Sequence, residues 1–540
     1  MFERTSGVLM HITSLPSPYG IGSMGADARA FVDFLRDAGQ RYWQVLPLGR
    51  TGFGASPYQC FSAAAGNPLL IDLDTLVEDG LLTAEEALEA DPHSSPDQVD
   101  FEEVEKLRYP VLRKAFARVT PKLQKKIDAY AEREKDWLPD FTLFMSLREV
   151  KYECAALWDW PDADVLHRKP KALAAAREEL AEEIAFRTFL QYEFSVQWHA
   201  LRKYANKNGV QIIGDIPIYV SPDSADVWEN PKFFKLKSDF SPRKIAGVPP
   251  DYFSATGQLW GNPVYDWDAL EKDGFKWWIW RMKQNMELYD VVRLDHFRGF
   301  ESYWEVDAGE ETAVKGQWLK GPGMRLFRAI EKELGKIPII AEDLGIITDD
   351  VRKLLDESGF PGMRVMIFGF NSWEDNCHLP HNYVPNSIVY TSTHDSQTIC
   401  EQIMDLCGPA DADFARDYIR WNGHEPLAWA AIKTLFFSPA SIAMTQMQDV
   451  LNLGADARMN KPATVGGQNW RWRMRRDGMN SELSGFLRGV TVTSRRYKPY
   501  QPPVEPEPEE APETEEKVET KETASTEKAA PTETAKAEKA

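Results

Sequence analysis

Residues 291–300, VVRLDHFRGF, decide the fold. Val291 to Leu294 make an apolar run broken by one arginine, and the acid Asp295 follows at once. A parallel strand buried on both faces has this near-continuous apolar character rather than strict alternation. In an α/β barrel the residues just past such a strand stand on the catalytic face. The same pattern recurs in 337–345, IPIIAEDLG, which delivers Glu342, and in 388–398, IVYTSTHDSQT, which delivers Asp395. Asp295, Glu342 and Asp395 are therefore expected to converge on one pocket. Two carboxyl groups flanking a scissile bond are the minimum for chemistry at a sugar acetal: one protonates the leaving oxygen, the other meets the developing oxocarbenium ion.

Working outward, five more runs read as strands: GVLMHITSL from Gly7, YWQVLPL from Tyr42, VQIIGDIPIYV from Val210, GMRVMIFGF from Gly362 and SIAMTQMQDVL from Ser441. Helical patterns separate them. Phe31, Phe34, Leu35 and Ala38 recur at i, i+3, i+4 and i+7, and Gly39 supplies the helix stop before the next strand. Strands alternating with helices predict an α/β fold, and eight strands favour the closed (β/α)8 TIM barrel over an open sheet. The spacing is uneven. Roughly 150 residues separate the second and third strands, mostly charged amphipathic patterns such as LRKAFARVTPKLQKKIDAYAEREKDW, far more than a barrel connection needs. A helical insertion is expected at about 52–200. A second, at about 221–275, contains PRKIAGVPPDYFSATGQLWGNPVYDWD and reads as an irregular loop overhanging the catalytic face, with Tyr252, Phe253 and Trp260 placed to stack on sugar rings.

Composition narrows the classes. The formal net charge of −20 argues against nucleic acid or an anionic membrane as partner. No stretch approaches the roughly 18 to 20 apolar residues that cross a bilayer, and MFERTSGVLMHITSL enters a strand without a signal-peptide profile, so a cytoplasmic protein is expected. The cysteines Cys60, Cys154, Cys377, Cys400 and Cys407 lack CxxC spacing and indicate neither a disulfide framework nor a zinc site. Residues 501–540 carry 12 Glu and 5 Lys and no aromatic residue; this low-complexity tail is expected to be disordered, leaving 1–500 as the catalytic barrel with its insertions.

Seven motifs then stand in one order: GASPYQ at 54–59, GDIPIYV at 214–220, PPDYFSATGQLWGNP at 249–263, VRLDHFRGF at 292–300, AEDLG at 341–345, TSTHDSQT at 391–398 and NWRWRM at 469–474. Together they resemble the 4-α-glucanotransferases of glycoside hydrolase family 77, over residues 6 to about 495. The resemblance implies a (β/α)8 barrel without a C-terminal β-sandwich domain. It implies transfer of an α-1,4-glucan segment to the 4-hydroxyl of glucose or a malto-oligosaccharide, with no metal or organic cofactor, by a monomer or homodimer.

By these matches Asp295 resembles the nucleophile, Glu342 the general acid and then base, and Asp395 the third carboxylate, which holds the distorted sugar. Arg293, two residues before Asp295, falls on the same strand face and is expected to keep it ionised. His296 and His394 resemble histidines that bind hydroxyls at the bond being cut. Histidines beside acids also suit a divalent metal, but Met10-His11-Ile12 offers no H-x-H pair and no H-E-x-x-H occurs. Asp215 is an acid near the pocket or a residue that shapes it. Tyr58 resembles the stacking tyrosine after strand two, Gln258 and Trp260 lie in the overhanging loop, and Asn469 matches an acceptor-side contact. Here the chain departs from the family pattern, with Gln468 between Gly467 and Asn469. Two other readings stand beside transfer: a retaining α-glucan hydrolase with the same carboxylates, and a non-catalytic glucan-binding protein.

Overall fold

All eight apolar runs become strands of one closed parallel barrel in the computed structural model, which describes residues 2–250 and 254–499. In chain order the strands are β1 Thr5–Leu9, β2 Tyr42–Gln44, β3 Gln211–Ile216, β4 Lys244–Val248, β5 Gln258–Pro263, β6 Val291–Leu294, β7 Ser302–Asp307, β8 Gly316–Lys320, β9 Ile339–Ala341, β10 Gly362–Val365, β11 Ser387–Tyr390 and β12 Ile442–Gln446. The barrel runs β1-β2-β3-β6-β9-β10-β11-β12, and β12 closes on β1 in register from Thr5↔Ile442 to Leu9↔Gln446. Helices cover the outside and side chains fill the centre, so these strands are buried almost throughout. That double burial is why they read as apolar runs. On β3, a Cβ at Gly214 would come within 2.1 Å of the Tyr289 ring, so only glycine lets that ring pack on the strand while the next residue, Asp215, faces the opposite way.

The first crossover behaves as its sequence predicts. Helix Ala26–Asp37 buries Phe31, Phe34 and Leu35, and Gly39 follows with φ +70°, the left-handed geometry that stops a helix. Between β2 and β3 lie the longer helices Phe101–Phe116, Pro121–Arg133, Leu138–Ser146, Pro170–Glu179 and Ala181–Lys207. The charged stretch from Leu112 is two helices rather than one. Thr120 caps the second by accepting from the Leu123 N–H, with Pro121 in its first turn. An ionic chain ties these helices to the segment after β2: Arg50 pairs with Glu105 and Glu149, and Arg187 bridges Glu149 at 2.8 Å and Glu183 at 2.6 Å.

The segment 221–275 differs from the irregular loop expected. It contains the short helix Ala225–Glu229 and the antiparallel strands β4 and β5. β4 pairs on its other edge with β7, and β7 with β8, giving a four-stranded sheet in the order β5-β4-β7-β8. The expectation failed because β5, QLWGNP, carries the usual markers of a turn, and because β4 finds its second partner in a different insertion, after β6. Tyr252, Phe253 and the 501–540 tail lie outside the described residues. Among the described residues no helix is long and apolar enough to cross a membrane.

Candidate active site

Parallel pairing carries the carboxylates to one level. Asp215 on β3 is in register with Arg293 on β6, and Arg293 with Ile340 on β9. The ladder then continues past the strands: the Asp295 N–H donates to the Ile216 carbonyl and the Glu342 N–H to the Leu294 carbonyl, both at 3.0 Å. Asp295 and Glu342 are thereby the first residues beyond adjacent strands. Asp395 lies in the loop after β11.

The β6 side of the site is ionic. One Arg293 amino group donates to both Asp215 oxygens, at 2.7 and 2.6 Å, and the other pairs with Asp295 Oδ1 at 3.0 Å. Asp215 and Arg293 are buried, and Asp295 is half-buried. Burial pushes the Asp295 carboxyl up, Arg293 pulls it back, and the neighbouring acids Asp215 and Asp395 leave it at about 6.

Glu342, also buried, has no cation in contact among the described residues. Its oxygens accept from the backbone N–H groups of His296, at 2.7 Å, and Leu344, at 2.8 Å. Burial, reinforced by the charge of Asp295, pushes its pKa up to about 8, with Arg293 and the two N–H groups opposing. One carboxyl is thus biased toward the ionised form and its neighbour toward the protonated form at neutral pH, the division that acid–nucleophile chemistry requires.

Asp395 departs in the other direction. Burial raises its pKa, but His394 at 3.0 Å, the Asn460 amide donating at 2.7 Å, and Arg293 outweigh that and hold it at about 2. Tyr58 closes a circuit. Its hydroxyl donates to Asp215 at 2.8 Å and lies 2.6 Å from His394 Nε2, while its ring stacks on the His394 ring with centroids 5.6 Å apart. The chain Asp295–Arg293–Asp215–Tyr58–His394–Asp395 therefore links two of the three carboxylates.

His296 stands at φ +50°, in the left-handed region rarely used by bulky residues, and this turn directs its N–H at Glu342. Burial, with Arg298 nearby, pushes its imidazole down to about 3, so the ring is neutral. Trp260 on β5 meets that ring edge-to-face at 4.8 Å, and Gln258 accepts from the Trp260 indole at 3.2 Å. Asn469 engages its own segment: its oxygen accepts from the Lys461 N–H at 3.0 Å and its amide donates to Thr464. Two neighbours of the site had no expected role. Asn460 is a lone polar residue in an aperiodic loop and carries no sequence signal. Trp470, whose ring lies 5.9 Å from Tyr58 and 6.2 Å from His394, sits inside the motif NWRWRM, which could have exposed it.

An eight-stranded α/β barrel with three carboxylates gathered at the strand ends defines the class: an enzyme architecture suited to acetal chemistry. Comparison with known proteins narrows this. The profile of glycoside hydrolase family 77, described as 4-alpha-glucanotransferase, matches residues 10–479, and the chain belongs to that family. It is 46% identical over 497 residues to the 4-alpha-glucanotransferase of Streptococcus pneumoniae, covering 92% of this chain and 98% of that protein. Against the 4-alpha-glucanotransferase of Thermus thermophilus it is 44% identical over 504 residues, covering 91% and 99%. The structure of an amylomaltase from Streptococcus agalactiae in complex with acarbose superimposes with a TM-score of 0.89 at 43% identity, covering 92% of this chain and all of that one.

Proposed function

We propose that this chain cleaves an α-1,4-glucan and transfers the glucanosyl segment to the 4-hydroxyl of glucose or a malto-oligosaccharide, with retention at the anomeric carbon. The observation that carries the mechanism is the different setting of two carboxyls at the ends of adjacent strands: Asp295 touches the Arg293 cation, whereas Glu342 is held by two backbone N–H groups and is pushed up further, to about 8 against about 6.

Asp295 attacks the anomeric carbon of the donor as the bond to the leaving O4 breaks. Glu342 gives its proton to that oxygen, and the shortened glucan departs with a free 4-hydroxyl. The resulting glycosyl ester on Asp295 has inverted configuration. In the second half Glu342, now ionised, takes the proton of an acceptor 4-hydroxyl whose oxygen displaces Asp295, inverting again and returning both groups to their starting states. Arg293 disperses the charge of Asp295 as it leaves. Asp395, fully ionised, faces the cationic transition state and binds ring hydroxyls with His394 and the neutral His296. Tyr58 and Trp260 offer rings to the sugar faces.

Preference for a sugar hydroxyl over water requires the acceptor to be held in attack geometry, an advantage worth up to about 7–11 kcal/mol in favourable intramolecular cases. The test is incubation with maltotriose alone. Glucose and a ladder of longer maltodextrins, with total reducing ends constant, is the expected result. Rising reducing ends without longer products would instead make it a hydrolase, and unchanged maltotriose would refute transfer from that donor.

A further inference from the structure

The carboxyl of Glu342 is held by two N–H groups on two different loops: His296 after β6 and Leu344 after β9. Its direction therefore depends on how those loops sit relative to each other. One side chain spans them. Arg298, buried and three residues past Asp295, donates to the carbonyl of Ile346, four residues past Glu342. Its other amino group reaches Ser302 Oγ at the start of β7, at 3.1 Å. The guanidinium lies 3.9 Å from the centre of the Trp318 ring, which β8 supplies from the four-stranded sheet. It thus contacts a carbonyl, a hydroxyl and an indole face. The charge of Glu301 favours the cation without forming an ion pair with it, but burial outweighs that and pushes the Arg298 pKa down, so holding a cation here costs free energy.

We infer that Arg298, roofed by Trp318, is a positioning residue for the proton-transfer group: it locks the β6 and β9 loops in the register that aims Glu342 at the glycosidic oxygen. The sheet β5-β4-β7-β8 is then part of the catalytic apparatus. At one edge it carries Trp260 against His296, and at the other it carries Trp318 against Arg298.

This inference rests on Glu342 being the acid and base, and the test separates the two ideas. Wild type, Arg298→Met, Arg298→Lys, Trp318→Ala and Glu342→Gln are compared on two reactions, after thermal melting establishes that each variant is folded. The first is maltotriose disproportionation, which needs a proton donated and a proton removed. The second is fluoride release from α-glucosyl fluoride with azide as acceptor, which needs neither.

Arg298→Met is expected to lose about 10²-fold in kcat on maltotriose with KM little changed, the scale of an approximately 1 Å misplacement. It should recover to within a few-fold of wild type on the fluoride–azide pair. Arg298→Lys should fall between, because one donor cannot span the loops and stack as a planar fork does. Trp318→Ala should show the same split with a smaller loss. Equal losses on both reactions, or full activity on maltotriose, would overturn the positioning role. Failure of Glu342→Gln itself to show the split would overturn the acid–base assignment on which it rests.

Discussion

The two carboxylates at the centre of the site are one strand apart and are built by opposite means. Around Asp295 the protein uses charge: Arg293 contacts it and is itself anchored to Asp215. Around Glu342 the direct contacts among the described residues are backbone N–H groups, and the charges of Asp295 and Arg293 act on it without touching it. Each oxygen of Glu342 receives a hydrogen bond, yet neither donor brings a full charge, so desolvation dominates and the proton is retained. A cation in the same position would have made a second nucleophile. On the roles proposed above, what separates acid from nucleophile is not residue type alone but whether the contacting partner carries a formal charge.

The most severe way to break this contrast is to remove each carboxylate. Asp295→Asn should fold and lose about 10⁴-fold or more in kcat, because no later step proceeds without the covalent bond. Glu342→Gln should lose about 10²- to 10⁴-fold on maltotriose. Product analysis by chromatography checks both, and near-wild-type turnover by either folded variant would refute its role.

A sharper test leaves both carboxylates in place and removes the cation that touches one of them. The wild-type profile of kcat/KM should be bell-shaped, rising as Asp295 ionises near pH 6 and falling as Glu342 loses its proton near pH 8, the two values belonging to the interacting pair. Arg293 lowers both pKa values, so Arg293→Met should move both limbs to higher pH and cost about 10²-fold at the optimum. An unmoved acid limb would show that Arg293 does not hold Asp295 ionised.

The sequence made one side of this contrast far more legible than the other. Arg293 and Asp295 share a strand face by simple alternation, and all eight barrel strands were visible because burial on both faces leaves an apolar run. The donors to Glu342 are main-chain groups, one of them created by the left-handed turn at His296, and no residue type advertises a backbone N–H. The sheet β5-β4-β7-β8 was hidden for a related reason. Its strands come from two insertions, its β4–β5 register shifts between Ile245 and Gly247, and its outer strands are only partly buried, so neither a continuous run nor a clean alternation survives. Arg298 stood in plain view inside VRLDHFRGF, but its partner is a carbonyl after another strand.

Tyr58 probes the circuit that joins the two sides. Tyr58→Phe keeps the ring stacked on His394 and deletes the hydroxyl between Asp215 and His394. A lost hydrogen bond to a charged group is worth about 1.5–3 kcal/mol, so a drop of about 10- to 150-fold in kcat/KM is expected. A larger loss for Tyr58→Phe than for Arg293→Met would place the decisive contact at the hydroxyl rather than at the cation.

The smallest effect concerns the edge of the pocket, where Asn460 and Asn469 make different claims on Asp395. Asn460 touches the carboxylate, whereas Asn469 bonds Lys461, the next residue, and Thr464. Asn460→Ala should raise the Asp395 pKa yet leave the group ionised at neutral pH, so its cost is lost orientation, about three- to tenfold in kcat. If Asn469 acts by holding the segment that presents Asn460, then Asn469→Ala should cost less, and the double variant should be no worse than Asn460→Ala alone, because residues acting through one contact are not additive. A direct contact between Asn469 and the acceptor gives a different pattern: multiplied losses in the double variant and a raised KM for glucose as acceptor. The double-mutant cycle, measured with maltotriose as donor and glucose as varied acceptor, separates a hydrogen bond to sugar from one that only shapes the loop.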